Sequence, residues 1–329
     1  MKTTRRGVTG GMAALAATPA LARASTSTLD AAMAPEGAPR EIIPIWPRQP
    51  PGLAHGVRQE VLERSTPPAL RDRAVVHVTR PVLIVFRAPQ PNGAGVLMTP
   101  GGAYQRVVLD KEGYETAERL NAAGITAFVL VYRLPGDHHA AGADAPLQDV
   151  QRAMRLIRAR AREFGIDPAR MGVMGFSAGG HVAGSLSLRF DAHVYERVDA
   201  ADEQLARPAF SMLVYPVASM EDHAHAQSRT ELLGVDADSA ERRRAYSLEH
   251  IVRPDAPPTF LLHAEDDEAV PLENSLQLHQ ALRAQHVACE LHAFEHGGHG
   301  FGIRLTTGKP VAVWPELAVN WLRAHAMLA

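Results

Sequence analysis

Apolar runs of strand length and amphipathic stretches of helix length alternate along most of this chain. Short apolar runs at 95–99, 126–132, 171–175, 210–215 and 259–264 read as buried strands, and 289–294 alternates apolar with polar residues in the manner of a strand. Between them, 110–123, 145–164, 177–188, 272–285 and 310–328 read as helices, and Gly165-Ile166-Asp167-Pro168 closes the second of these. The alternation predicts an α/β fold: a mainly parallel central sheet with helices on both faces. Upstream, 74–79 and 81–86 look like antiparallel edge strands, and no internal repeat is evident.

The rhythm breaks at 217–253, a charged stretch with His223, His225 and a helical-looking 239–246. It reads as a small cap or side insertion near the mouth of a site, or as a surface excursion with no ligand contact. It lacks the long apolar face of an interfacial lipase lid, which argues against long-chain lipid substrates. Residues 1–24 have the layout of an export leader: Thr4-Arg5-Arg6, an Ala-rich apolar stretch, then Ala22-Arg23-Ala24 at a cleavage point. The paired arginines suggest the Tat route and a periplasmic or secreted protein. Residues 25–41, rich in Ala, Ser, Thr and Pro, are expected to be a flexible tether, and 42–329 a single domain over which 44–52 lies extended.

Composition narrows the function. The formal charge of −2 becomes −6 once Lys2, Arg5, Arg6 and Arg23 are removed, so no electrostatic case exists for binding nucleic acid. Hydrophobic residues make up 46% of the chain, ample for a core, and no run outside the leader is long enough to span a bilayer. The single cysteine, Cys289, excludes an intrachain disulfide and reads as core packing in a strand.

The chemistry concentrates at Gly175-Phe176-Ser177-Ala178-Gly179, between a predicted strand end and a helix start. A serine in so tight a turn adopts a strained backbone, and glycines two residues to either side remove side chains that would collide. Its hydroxyl then projects at the carboxyl edge of the sheet, with the Ala178 N–H placed to stabilise an oxyanion. The alternative is a glycine-rich turn without chemistry. Downstream, Glu265-Asp266-Asp267-Glu268 and then His296-Gly297-Gly298-His299-Gly300 each follow a predicted strand, in the order serine, acid, histidine. Glycines on both sides of His299 let its backbone turn towards the sheet edge, whereas His296 reads as a neighbour that packs beside the site.

These pieces, with Pro100-Gly101-Gly102-Ala103-Tyr104 and Asp267-Glu268-Ala269-Val270-Pro271, resemble the α/β-hydrolase superfamily, and within it the small bacterial acetylxylan and feruloyl esterases of BD-FAE type. The resemblance covers nearly all of the chain from about Ile42. It implies Ser177 as nucleophile, Asp267 as acid and His299 as base, with Asp266 left as an alternative acid or a cap for N–H groups of its own loop. It also implies an oxyanion hole from Gly102, Ala103 and Ala178. Pro100 and Ala103 replace the usual histidine and last glycine of that loop, tolerable if Ala103 keeps a negative φ. Short acyl esters on plant polysaccharides are the implied substrates, acetyl first and feruloyl second, with Tyr104 or Trp46 as candidate sugar platforms and Trp46 alternatively a packing anchor.

No cofactor is expected. His138-His139 with Asp144, Asp222-His223-x-His225 and His296-x-x-His299 offer ligand types for a metal, but none is a complete site. A serine exopeptidase would share the triad yet normally brings an extra domain, and a non-catalytic carbohydrate binder would not need all three residues.

Overall fold

The structure, a computed structural model, describes residues 28–35, 41–67 and 69–328 together with Met1, so the leader expected at 1–24 lies, Met1 apart, outside the described residues. In chain order the strands are β1 (Glu41–Pro44), β2 (Glu60–Glu63), β3 (Arg73–Val76), β4 (Val82–Phe86), β5 (Gly95–Thr99), β6 (Val107–Val108), β7 (Thr126–Val131), β8 (Met171–Phe176), β9 (Ser211–Val214), β10 (Thr259–Ala264) and β11 (Cys289–Phe294). The helices are α1 (Thr28–Met33), α2 (Glu115–Ala122), α3 (Ala145–Ala159), α4 (Ala161–Phe164), α5 (Ala178–Leu188), α6 (Ala226–Leu233), α7 (Ala240–Tyr246), α8 (Glu273–Ala284) and α9 (Trp314–Ala324).

Strands β5, β7, β8, β9 and β10 are buried at every position, which requires cover on both faces of their sheet. Helices provide it. The sheet has eight strands in the order β1-β4-β7-β5-β8-β9-β10-β11, parallel from β7 to β11 and antiparallel at β1 and β4. The predicted mainly parallel α/β architecture is therefore present. Its register sets Thr99 against Gly175, Phe176 against Val214 and Ala264 against Phe294. The loops after β5, β8, β10 and β11 thus open at one edge, where the site is found.

Several expectations need correction. β4 lies between β1 and β7 rather than at an edge, and β3 belongs to a separate antiparallel sheet, β2-β3-β6. The tether expected at 25–41 contains α1, which is docked: Met33 is fully buried, Tyr114 donates its hydroxyl to the Met33 carbonyl at 2.5 Å, and Arg80 pairs with Asp30. Burial of one methionine and these long-range polar ties outweigh a composition typical of a linker. The helix expected at 110–123 begins as a π-helical turn, Asp110–Tyr114, in which Tyr114 N–H bonds the Leu109 carbonyl. β11 is the outer strand, and Cys289 on it is only partly buried against the core.

The 217–253 insertion carries α6 and α7. Helix α6 packs against the turns that follow β7, and Gln105 donates to Glu231 of α6 at 2.9 Å, so the insertion bridges two loops at the same sheet edge. No helix among the described residues is long and apolar enough to cross a membrane.

Candidate active site

Strand β8 delivers Ser177 into a turn with φ 53° and ψ −124° before α5 begins at Ala178. That positive φ is the strained conformation the pentapeptide predicts, and its glycines are sterically required. A Cβ on Gly175 would sit 2.2 Å from the Gly179 carbonyl oxygen, and one on Gly179 only 2.1 Å from that of Thr99. The serine's N–H and carbonyl are tied to Val214 and Val217 of the adjoining β9 segment.

Ser177 Oγ lies 2.9 Å from His299 Nε2, and His299 Nδ1 lies 2.7 Å from Asp267 Oδ2. A carboxylate only accepts, so Nδ1 carries the proton and Nε2 presents its lone pair to the serine hydroxyl. The structure brings together Ser177, Asp267 and His299 as expected. The Asp267 side chain is fully buried and the His299 side chain is 25% exposed, which leaves the imidazole open to a substrate. Asp267 Oδ1 accepts the Ala269 and Val270 N–H groups at 3.0 and 2.8 Å. Burial alone would push its carboxyl up, but hydrogen bonds from His263 and His299, the charge of His299 and the Val270 N–H hold it well below the ordinary carboxylate range.

Asp266 points elsewhere: its Oδ1 accepts from Gly297 and Gly298 N–H at 2.8 and 2.7 Å, so it caps the histidine loop rather than its own. His296 stands outside the cluster, largely exposed and 3.5 Å from Asp266.

The loop after β5 faces the serine. A Cβ on Gly101 would lie 2.8 Å from Ser177 Cβ, so the two backbones are in contact. Gly102, Ala103 and Tyr104 follow with φ of 138°, 57° and 61°. The negative φ on which tolerance of the Ala103 methyl group depends is absent, and two consecutive L-residues sit at positive φ at a cost of roughly 1–2 kcal/mol each. The strain is held by Tyr104, whose hydroxyl donates to His181 Nδ1 at 2.6 Å, while His181 Nε2–H donates to the Tyr246 carbonyl at 2.7 Å. Burial lowers the His181 imidazole to about 4, so it stays a neutral acceptor. The Ala178 N–H, first in α5 and directly after Ser177, has no intrahelical acceptor.

Tyr104 and Trp46 are not sugar platforms. Tyr104 is 1% and Trp46 4% exposed. Trp46 donates Nε1–H to Asp149 at 2.8 Å beside Arg133 and Arg152, and so anchors the N-terminal segment to α3. Three of the side chains that offer metal-ligand types have other partners: His139 Nδ1 accepts the Ala54 N–H, Asp144 pairs with Arg189, and His225 caps α6 through Ser228. Among the described residues the one cluster of ligand type is Glu221, Glu249 and His250, where His250 already bonds Glu221.

Two site residues escape sequence reasoning. His263, a histidine inside an otherwise apolar strand, bonds Ser275 and the Val270 carbonyl and lies 3.4 Å from Asp267, steadying the acid loop. Tyr215, at the end of β9, stacks edge-on against His299 with ring centroids 5.0 Å apart. Burial also lowers the His225 imidazole, with the charge of His299 contributing and that of Asp267 opposing.

Residues 93–282 match the BD-FAE family, and residues 247–318 match the dienelactone hydrolase family. The chain is 34% identical to an acetylxylan esterase of Xylanibacter ruminicola, across 74% of this chain and 48% of that protein. It is 36% identical to endo-1,4-beta-xylanase B of Butyrivibrio fibrisolvens, across 63% of this chain and 32% of that one. The chain therefore spans about half the length of the first relative and about a third of the second. Among solved structures it is similar to an acetyl ester-xyloside bifunctional hydrolase from Caldicellulosiruptor lactoaceticus, with TM-score 0.70 and 31% identity, covering 88% of this chain and 97% of that one. The fold is that of the α/β-hydrolases.

Proposed function

This chain belongs to the BD-FAE family, and from that membership and the geometry around Ser177 we propose that it is a serine esterase cleaving short acyl esters, acetyl groups on xylan-type polysaccharides foremost. The observation that carries the reading is the continuous relay from Ser177 Oγ through His299 to buried Asp267, beside the strained loop that follows Gly101. The names of the relatives, an acetylxylan esterase and an acetyl ester-xyloside hydrolase, support the substrate class.

In the mechanism, Ser177 Oγ attacks the ester carbonyl carbon as His299 Nε2 takes the hydroxyl proton. Asp267, kept ionised, stabilises the imidazolium and holds its tautomer. The carbonyl oxygen becomes an oxyanion that N–H groups of Ala178, Gly102 and Ala103 receive. The tetrahedral intermediate collapses, the alcohol leaves with the His299 proton, and an acyl-serine remains. Water, deprotonated by the same nitrogen, then releases the acid and restores Ser177.

The test is hydrolysis of nitrophenyl acetate, butyrate and octanoate and of acetylated xylan by wild type and Ser177→Ala. Turnover is expected to fall from acetyl to octanoyl, and to drop by about a thousandfold or more in the variant. A variant within about tenfold of wild type would overturn the reading. Export is part of the proposal, supported by Arg5-Arg6 and the Ala22-Arg23-Ala24 cleavage pattern. N-terminal sequencing should find a mature chain that begins near Ser25 in the periplasm or medium, and an uncleaved protein confined to the cytoplasm would contradict it.

A further inference from the structure

The loop of N–H donors and the loop of the base arise from different strands, β5 and β11, yet hydrolysis needs both registered against Ser177 to within fractions of an ångström. One side chain links the two, directly to the first and through Tyr215 to the second. Glu112, at the centre of the π-helical turn, is 4% exposed. Its Oε2 accepts the Gly101 N–H at 2.7 Å, and its Oε1 accepts the Tyr215 hydroxyl at 3.2 Å. The Tyr215 oxygen in turn accepts the Gly302 N–H at 3.2 Å, and its ring packs against His299 and Phe301 with centroids 5.0 and 4.6 Å away.

The Gly101 contact has particular leverage. Gly101 N–H and the Pro100 carbonyl belong to one rigid peptide plane. Tyr132 donates its hydroxyl to that carbonyl at 2.7 Å, so the plane is gripped at both edges, by Tyr132 on one and Glu112 on the other. Rotation of this plane would swing Gly102 and Ala103, the donors that the esterase reading assigns to the oxyanion. We propose that Glu112 is a positioning residue that aligns the oxyanion loop with the His299 loop. It touches neither substrate nor reacting atoms, and acts through Gly101 on one side and Tyr215 on the other. The role rests on the esterase reading above.

A carboxylate is required because both partners donate. An amide of the same shape offers one acceptor and one donor end, so either Gly101 N–H or the Tyr215 O–H loses its acceptor. The π-helical turn explains how the residue reaches its place. The wider turn directs Asp110 inward to a paired contact with Arg73 and Glu112 inward two residues later.

The experiment compares wild type, Glu112→Gln, Tyr215→Phe and the double variant, all assayed on nitrophenyl acetate well below their unfolding temperatures. Binding of phenylboronic acid, which forms a tetrahedral adduct on an active serine, is measured alongside. Glu112→Gln is expected to lower kcat by about tenfold to a hundredfold with KM within about threefold, and to weaken the boronate by a comparable factor. Tyr215→Phe is expected to lose about fivefold, and the double variant to lose no more than Glu112→Gln alone, since both cut one network. Folded Glu112→Gln with kcat and boronate affinity within about twofold of wild type would overturn the proposal. So would a double variant whose losses multiply. If Glu112→Gln does not fold, Tyr215→Phe decides the matter on the same twofold criterion. A wild type that neither hydrolyses the ester nor binds the boronate overturns the esterase reading, and this proposal with it. An active wild type with unaffected variants overturns this proposal alone.

Discussion

Asp266 and Asp267 are neighbours in an acidic loop, and nothing in their chemistry separates them. Backbone direction does. One side chain turns to the Gly297 and Gly298 N–H groups, the other into the core to meet His299 and His263. Asp267→Asn keeps the shape but lets the imidazole take the wrong tautomer and removes the charge that stabilises its protonated form. A loss of about a thousandfold in kcat is expected. Asp266→Asn should stay within about tenfold, because an amide oxygen can still accept the two glycine N–H groups. Steady-state kinetics of both variants decide the matter, and a crippled Asp266→Asn beside a nearly normal Asp267→Asn would reassign the acid. Tyr104 shows the same dependence on direction: its sequence context suits a sugar platform, but its ring points inward to His181.

At the level of elements, hydrophobic period located nearly every strand and helix of the central layer, and tertiary contacts adjusted the ends. The stretch 145–164 is two helices, α3 and α4, because the chain tightens at Arg160 before Gly165 turns left-handed with φ 66°. The start of 110–123 widened into a π-turn because Asp110 and Glu112 both have partners inside the protein. Neither adjustment has a periodic signature. Helix α1 has no sequence signal for a related reason, since six residues cannot hold a helix alone and the docking of Met33 and Asp30 supplies the stability.

Across the whole molecule, the buried histidine that braces the loop of Tyr104 ties stability to pH. His181 accepts a proton only near pH 4 in the folded state, whereas the unfolded chain accepts it near the ordinary value of 6.5. Between those values the unfolded state binds more protons, so stability is full above about 6.5 and is lost as pH falls to about 4, by on the order of 3 kcal/mol. Asp267 adds a further loss below the ordinary carboxylate range, because its folded-state value is depressed. Urea unfolding of wild type and His181→Gln from pH 7 to pH 4, a window around about 6.5 and 4, should show a shallower decline in the variant. Burial also lowers His139, His225 and His279, but these act equally in both proteins. Parallel curves would show that His181 is not the group responsible.

The sequence by itself determined the alternation of strands and helices, the strained serine turn and the order serine, acid, histidine, because these follow from side-chain period, glycine sterics and chain direction over a few residues. The Gly175 and Gly179 contacts are the direct outcome of that local steric logic. Only the tertiary structure decided which aspartate faces His299, that Trp46 and Tyr104 are buried, and that Glu112, Tyr215 and His263 support the site. Their partners come from other strands and helices, in the case of Glu112 and Tyr215 103 residues apart. Exposure and hydrogen bonding across such distances arise from how the sheet stacks its loops at one edge, and no local pattern of residues encodes that stacking.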